Sequence, residues 1–131
     1  MKWAIAAGFV AVLVGYTALS QTTSYWPAFA VIALAHAGAS TVWVLSATLL
    51  QDFSDDAYRG RVMAADFACL TTAISLSSYL AGVSVDAGVP VRTVALITGC
   101  VMLLPLGLWL LLTRGWFAPA QSPLPLPESQ A

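Results

Sequence analysis

No charged side chain stands between Lys2 and Asp52, and that gap limits the fold more than any other feature of the chain. It ends at residues 51–62, QDFSDDAYRGRV, where three carboxylates (Asp52, Asp55, Asp56) and two guanidiniums (Arg59, Arg61) crowd together. The hydrocarbon core of a bilayer does not hold charge at that density. The island is therefore expected in water, as a loop with an apolar hairpin on either side.

The totals agree. Of the 131 residues, 60% are apolar and only 8% charged, with a mean hydropathy of +0.84. Soluble domains carry about 25% charged residues, so this chain lacks the polar surface to stay dissolved. A net charge of −1 gives no basic face for nucleic acid. Cys69 and Cys100 both sit in apolar runs, without zinc spacing, a CxxC pair or a secreted disulfide framework, and read as two buried, inert thiols.

The expected fold is an all-α membrane protein. Four transmembrane helices, at about 3–19, 28–50, 62–82 and 91–113, form two antiparallel hairpins joined by the short charged cytoplasmic loop. This bundle occupies residues 1–118, and residues 119–131 form a proline-rich disordered tail. In the first span, Ala4 with Gly8 and Ala11 with Gly15 give small-xxx-small spacings that admit a second helix backbone. The segment can also be read as a signal peptide cleaved near Ala18-Leu19-Ser20, but the membrane span that follows favours retention. Ser24 and Pro27 suit the start of the second helix, with Tyr25 and Trp26 in an interfacial aromatic belt. Trp116 and Phe117 suit the same belt after span four, where Pro105 should bend the helix and Gly107 ease the bend.

Two ionisable residues fall inside spans. His36, among small residues, is either a group lining a pathway or a neutral imidazole hydrogen-bonded to a neighbouring helix. Asp66, about one turn into span three, is either held by the positive helix end and Arg59 or Arg61, or a coupling-proton site. The run from Thr71 to Ser78 is rich in hydroxyls, which bond back to helix carbonyls, reach a neighbour or line a polar cavity. In the loop, Arg59 is expected at the carbonyl end of span two. Arg61 needs a carboxylate from Asp55, Asp56 or Asp66, and Gly60 lets the chain reverse between the arginines.

Four spans put both termini on one side, together with Lys2, Arg59, Arg61 and Arg114; only Arg92 falls opposite. The positive-inside rule then makes the central loop and both termini cytoplasmic, the three aspartates counting for little. A bacterial inner membrane is the expected location.

Thr48-Leu-Leu-Gln51, the acidic spacer 52–58 and Arg59-Gly-Arg-Val62 together resemble the major facilitator superfamily. The likeness is to the drug- and siderophore-exporter branch, at the cytoplasmic loop between the tenth and eleventh helices. The stretch from Leu80 to Gly88, followed by Arg92 and an apolar helix, is similar to the last two helices of that family. The likeness covers about residues 1–115 and makes the four spans equivalent to helices nine to twelve. It departs in the spacer, where Ser54-Asp55-Asp56 replaces a common proline, and in number, since the family has twelve helices in two halves with substrate between them. The resemblance thus implies part of an efflux transporter for a small molecule, with Met1 an internal methionine or a restart in a truncated gene. The expected partners are the lipid bilayer and other transmembrane helices, from the rest of a transporter or from further copies.

The same residues bear on two other functions. A free-standing four-helix assembly or interaction subunit fits the small-residue faces. A membrane enzyme fits poorly: one His and one intramembrane Asp, without GxSxG or HExxH, give no nucleophile–base pair or metal set. No cofactor is expected.

Overall fold

The computed structural model describes residues 1–114. The proline-rich tail, Trp116 and Phe117 lie outside the described residues. Within them the secondary structure is helical: α1 (Lys2–Gln21), α2 (Tyr25–Asp52), α3 (Arg59–Asp86), α4 (Val91–Val101) and α5 (Leu103–Leu112). Taking α4 and α5 as one span, four helices are long and apolar enough to cross a membrane. Helix is what such a sequence requires there, because lipid offers no partner for an unpaired backbone group.

The breaks fall where local chemistry satisfies the helix ends. Thr22 turns extended after α1, and its Oγ1 donates to the carbonyls of Ala18 and Leu19 at 3.1 and 2.8 Å. Ser24 is the extended residue before α2, as expected of a cap, although its side chain makes no capping hydrogen bond. α2 takes in Tyr25 and Trp26 and runs on to Asp52, longer than the expected 28–50. α3 closes in a Schellman motif: Gly88 at φ 87° donates to Val85 O, and Val89 N to Ser84 O at 3.0 Å. Pro90 then prevents continuation and α4 begins at Val91.

The fourth span breaks at Met102, three residues before Pro105. Proline has no N–H for the carbonyl of Val101, and its ring crowds that turn. The helix is interrupted there, towards the N-terminal side of the proline, where the ring reaches.

The packing is asymmetric. α1 is the central helix, carrying buried Ile5, Ala6, Gly8, Val12, Gly15 and Ser20. On one flank, α2 meets it through Ala35 and Gly38; on another, α4 meets it through Ala95 and Gly99. A Cβ placed on Gly8 would lie 2.8 Å from Gly38 O, and one on Gly15 would lie 2.9 Å from Val31 O. Gly8 facing 38–42 and Gly15 facing 31–35 also show that α1 and α2 run antiparallel. The same intimacy joins α4 to α1, where a Cβ on Gly99 would lie 3.0 Å from Thr17 Oγ1. The expected small-residue contact is present through Gly8, Ala11 and Gly15, but Ala4 is exposed and takes no part. Lipid gives apolar helices no hydrophobic reason to associate, so van der Waals contact at these glycines holds the three helices together.

α3 stands apart. None of its residues is buried. Both cysteines are exposed, Cys69 on α3 and Cys100 on α4, which corrects the expectation that they are buried. Neither lies on a face that α1 covers.

Candidate functional site

Three helix ends meet at one pole. Lys2 Nζ donates to Thr113 O at 2.9 Å, and Trp109 Nε1 donates back to Lys2 O at 3.2 Å. The ammonium thus sits at the carbonyl end of α5, where positive charge is favoured. Trp109 also lines a small apolar hollow with Leu49, Leu50 and Phe53, which brings the end of α2 to the same pole. Lys2, Arg114 and the 52–61 island therefore share one end of the molecule, and the turn with Asp86 and Arg92 lies at the other.

The island differs in detail from the sequence-based reading. Asp52 is the last residue of α2, and Arg59, Gly60 and Arg61 form the first turn of α3, which starts at Arg59 and not at 62. Gly60 is consequently helical and does not reverse the chain. Residues 53–58 do. Ser54 Oγ donates to Leu50 O, Asp55 Oδ1 accepts from Ala57 N at 3.1 Å, and Asp55 O accepts from the amides of Tyr58 and Arg59. These short-range bonds wind the chain directly into α3.

Arg59 Nη2 pairs with Asp56 Oδ1 at 2.5 Å and lies 3.5 Å from Ser54 O, just beyond α2. Both partners are substantially exposed, so the pair contributes about 0–1 kcal/mol. Among the described residues no ion pair joins Arg61 or Asp66 to an opposite charge. The carboxylate expected for Arg61 is absent because the arginine starts a helix and projects from it, exposed.

Deeper in the span, α2 and α3 touch through Trp43 and Phe67, edge to face with ring centroids 6.3 Å apart. His36 precedes Trp43 by seven residues, two helical turns, so it lies on the same stripe about 10 Å further along. With Trp43 opposite Phe67, that register sets His36 at the depth of residue 74 (43 − 7 = 36; 67 + 7 = 74). His36 is exposed and has no hydrogen bond among the described residues.

At that depth the exposed face of α3 carries Thr71, Thr72, Ser75, Leu76 and Tyr79 as one open, shallow patch, more apolar than polar. Thr71 Oγ1 donates to Phe67 O at 2.9 Å and Thr72 Oγ1 to Ala68 O at 2.7 Å, the back-bonding expected of hydroxyls in a helix. Sequence reasoning singled out the hydroxyl run but passed over Tyr79, whose signal is its spacing of four from Ser75. It also passed over Trp43 and Phe67, which nothing local distinguishes from other apolar residues.

No protein-family model matches the chain, and no curated protein or solved structure is significantly similar to it. The class rests on the molecule alone: four apolar helices of spanning length, which fit an integral membrane protein.

Proposed function

We propose that the chain is part of a secondary transporter that moves a small molecule out of the cell, working with further transmembrane helices. In the membrane, its spans form two antiparallel hairpins joined by the charged loop. That loop and both ends of the 1–114 unit face the cytoplasm of a bacterial cell. The observation that carries this reading is α3: a helix of spanning length with no residue buried, whose open face at mid-depth carries the hydroxyls of Thr71, Thr72, Ser75 and Tyr79. Hydroxyls in that position have a use in a solute pathway and little use against lipid. The collection of Lys2, Arg59, Arg61 and Arg114 at one pole supports the orientation, and the loop pattern resembling the major facilitator superfamily supports the class. Asp66 and His36 are the carboxylate and the imidazole available within the spans, and Asp66→Asn in an efflux-competent assembly tests the former. Efflux of a labelled solute from native membrane vesicles, with the chain present or deleted, tests the whole; equal efflux from both would remove it.

A second reading, an assembly subunit of a membrane complex, draws on the same uncovered α3. Solute flux separates the two, since both place a neighbour against α3 and only the transporter moves a solute; cross-linking in native membranes that shows only monomer would count against both.

A further inference from the structure

We propose that the apolar groove along α1 holds an acyl chain of an anionic phospholipid, whose phosphate sits against Lys2 and Arg114. Such binding requires only that the helices lie in a membrane, and it holds whether or not the chain moves a solute.

Three helices build the groove. Ala7, Val10 and Val14 of α1 form its floor, and Leu34 of α2 with Leu106 and Leu110 of α5 border it. From Trp3 at the pole to Val14 every lining residue is apolar. The groove is open to the side, as a chain arriving from the bilayer requires.

Its length fits one lipid chain and not a covering helix. Trp3 to Val14 is eleven residues, about 16 Å at the helical rise. That is roughly half of a hydrocarbon core about 30 Å thick, the depth of one leaflet. One turn beyond Val14 the same stripe of α1 reaches Thr17, and there α4 lies over it: a Cβ on Gly99 would stand 3.0 Å from Thr17 Oγ1. The groove therefore closes at mid-depth, where an acyl chain ends and a transmembrane helix would have to continue.

Charge selects the headgroup. Lys2 Nζ lies 5.5 Å from the centroid of the Trp3 ring, which forms the mouth of the groove. Arg114 follows Thr113, whose carbonyl accepts a hydrogen bond from the same ammonium. Lysine attracts phosphate as a point charge, so the bond to Thr113 leaves that attraction in place. Among the described residues no ion pair joins Arg114 to a carboxylate, and Asp56 of the nearby island is taken up by Arg59. Two cations at the mouth of an apolar groove complement an anionic head on an apolar tail, and basic sites between helices near the membrane surface hold anionic lipid in this way.

The test uses the full chain in phosphatidylcholine nanodiscs that carry a trace of phosphatidylglycerol with a diazirine in mid-chain. Phosphatidylcholine with the same photoreactive chain is the comparison. The anionic probe is expected to label residues 3–14 at least about fivefold more than the zwitterionic one. K2Q combined with R114Q should make the two probes equal, K2R combined with R114K should keep the preference, and R92Q at the opposite pole should not change it. A7L, which raises the floor, should lower labelling of the groove by both probes. Equal labelling of the unaltered chain by the two probes overturns the assignment, as does a preference untouched by K2Q with R114Q. Labelling by neither probe at residues 3–14 would give the groove to another helix and overturns it as well. Should the double glutamine variant fail to fold, a salt series on the unaltered chain decides, because added salt screens charges exposed to water: a preference that salt leaves undiminished overturns the assignment.

Discussion

Gly38 of α2 lies so close to Gly8 of α1 that a methyl group on Gly38 would come within 2.7 Å of the Gly8 carbonyl oxygen. A second clash, with Ala11 Cβ at 2.7 Å, closes the other side of the same spot. Backbone meets backbone here, and no flexible side-chain tip can swing away. Gly38→Ala should therefore destabilise the fold by about 1–3 kcal/mol, as overpacking does in a close-packed interior. Gly82→Ala, where a Cβ meets nothing within 4 Å, should be neutral or stabilising by up to about 1 kcal/mol. Denaturation of both variants in detergent micelles checks this; equal stabilities would show that the α1–α2 contact is looser than described.

The clasp at the pole makes a second prediction. Trp109→Phe removes the indole N–H that reaches Lys2 O while keeping most of the ring. The loss should be about 0.5–1.5 kcal/mol, and it should appear first as faster amide exchange at the start of α1 and the end of α5. Unchanged exchange at both ends would mean that the bond does not hold them together.

The Arg59–Asp56 pair should matter little. Asp56→Asn is expected to alter stability by less than about 1 kcal/mol, and added salt should shrink the difference by screening the pair. A larger loss would point to a role for Asp56 beyond an exposed pair, and denaturation at two salt concentrations distinguishes the cases.

Much of this fold was legible in the sequence because lipid leaves a chain few options. The charge-free stretch before Asp52 dictated helices, Gly88 and Pro90 dictated a break, and the glycines of α1 announced a close neighbour. The helix boundaries around the island were not legible. Asp52 and Arg59-Gly-Arg61 look like loop by charge, yet the helices continue through them, because water screens charged residues at a helix end and leaves only a small dipole cost. Which helices would pack was equally hidden. α3 is as long as α2 and has its own small residues, so only three-dimensional contact shows that α1 takes α2 and α4 and leaves α3 uncovered. The candidate site divides in the same way: the hydroxyl run is visible by composition, whereas Tyr79 joins it only through helical spacing.

Removing α1 should undo the rest. It covers Ala35 and Gly38 on α2 and Ala95 and Gly99 on α4, so a chain beginning at residue 22 keeps none of the buried contacts those residues make with it. Such a variant is expected to be degraded or to aggregate in membranes where the full chain accumulates. Equal accumulation on an immunoblot would show that α1 is not the organising helix.

The account depends most on where the charged island sits. With Cys69 and Cys100 replaced by alanine, a single cysteine at Tyr58, which is exposed in the structure, can be labelled from either side of the membrane. A thiol reagent that cannot cross the membrane should leave this cysteine unlabelled in intact cells and label it fully in inside-out vesicles. Full labelling in intact cells would contradict the orientation, and with it the transport reading built upon it.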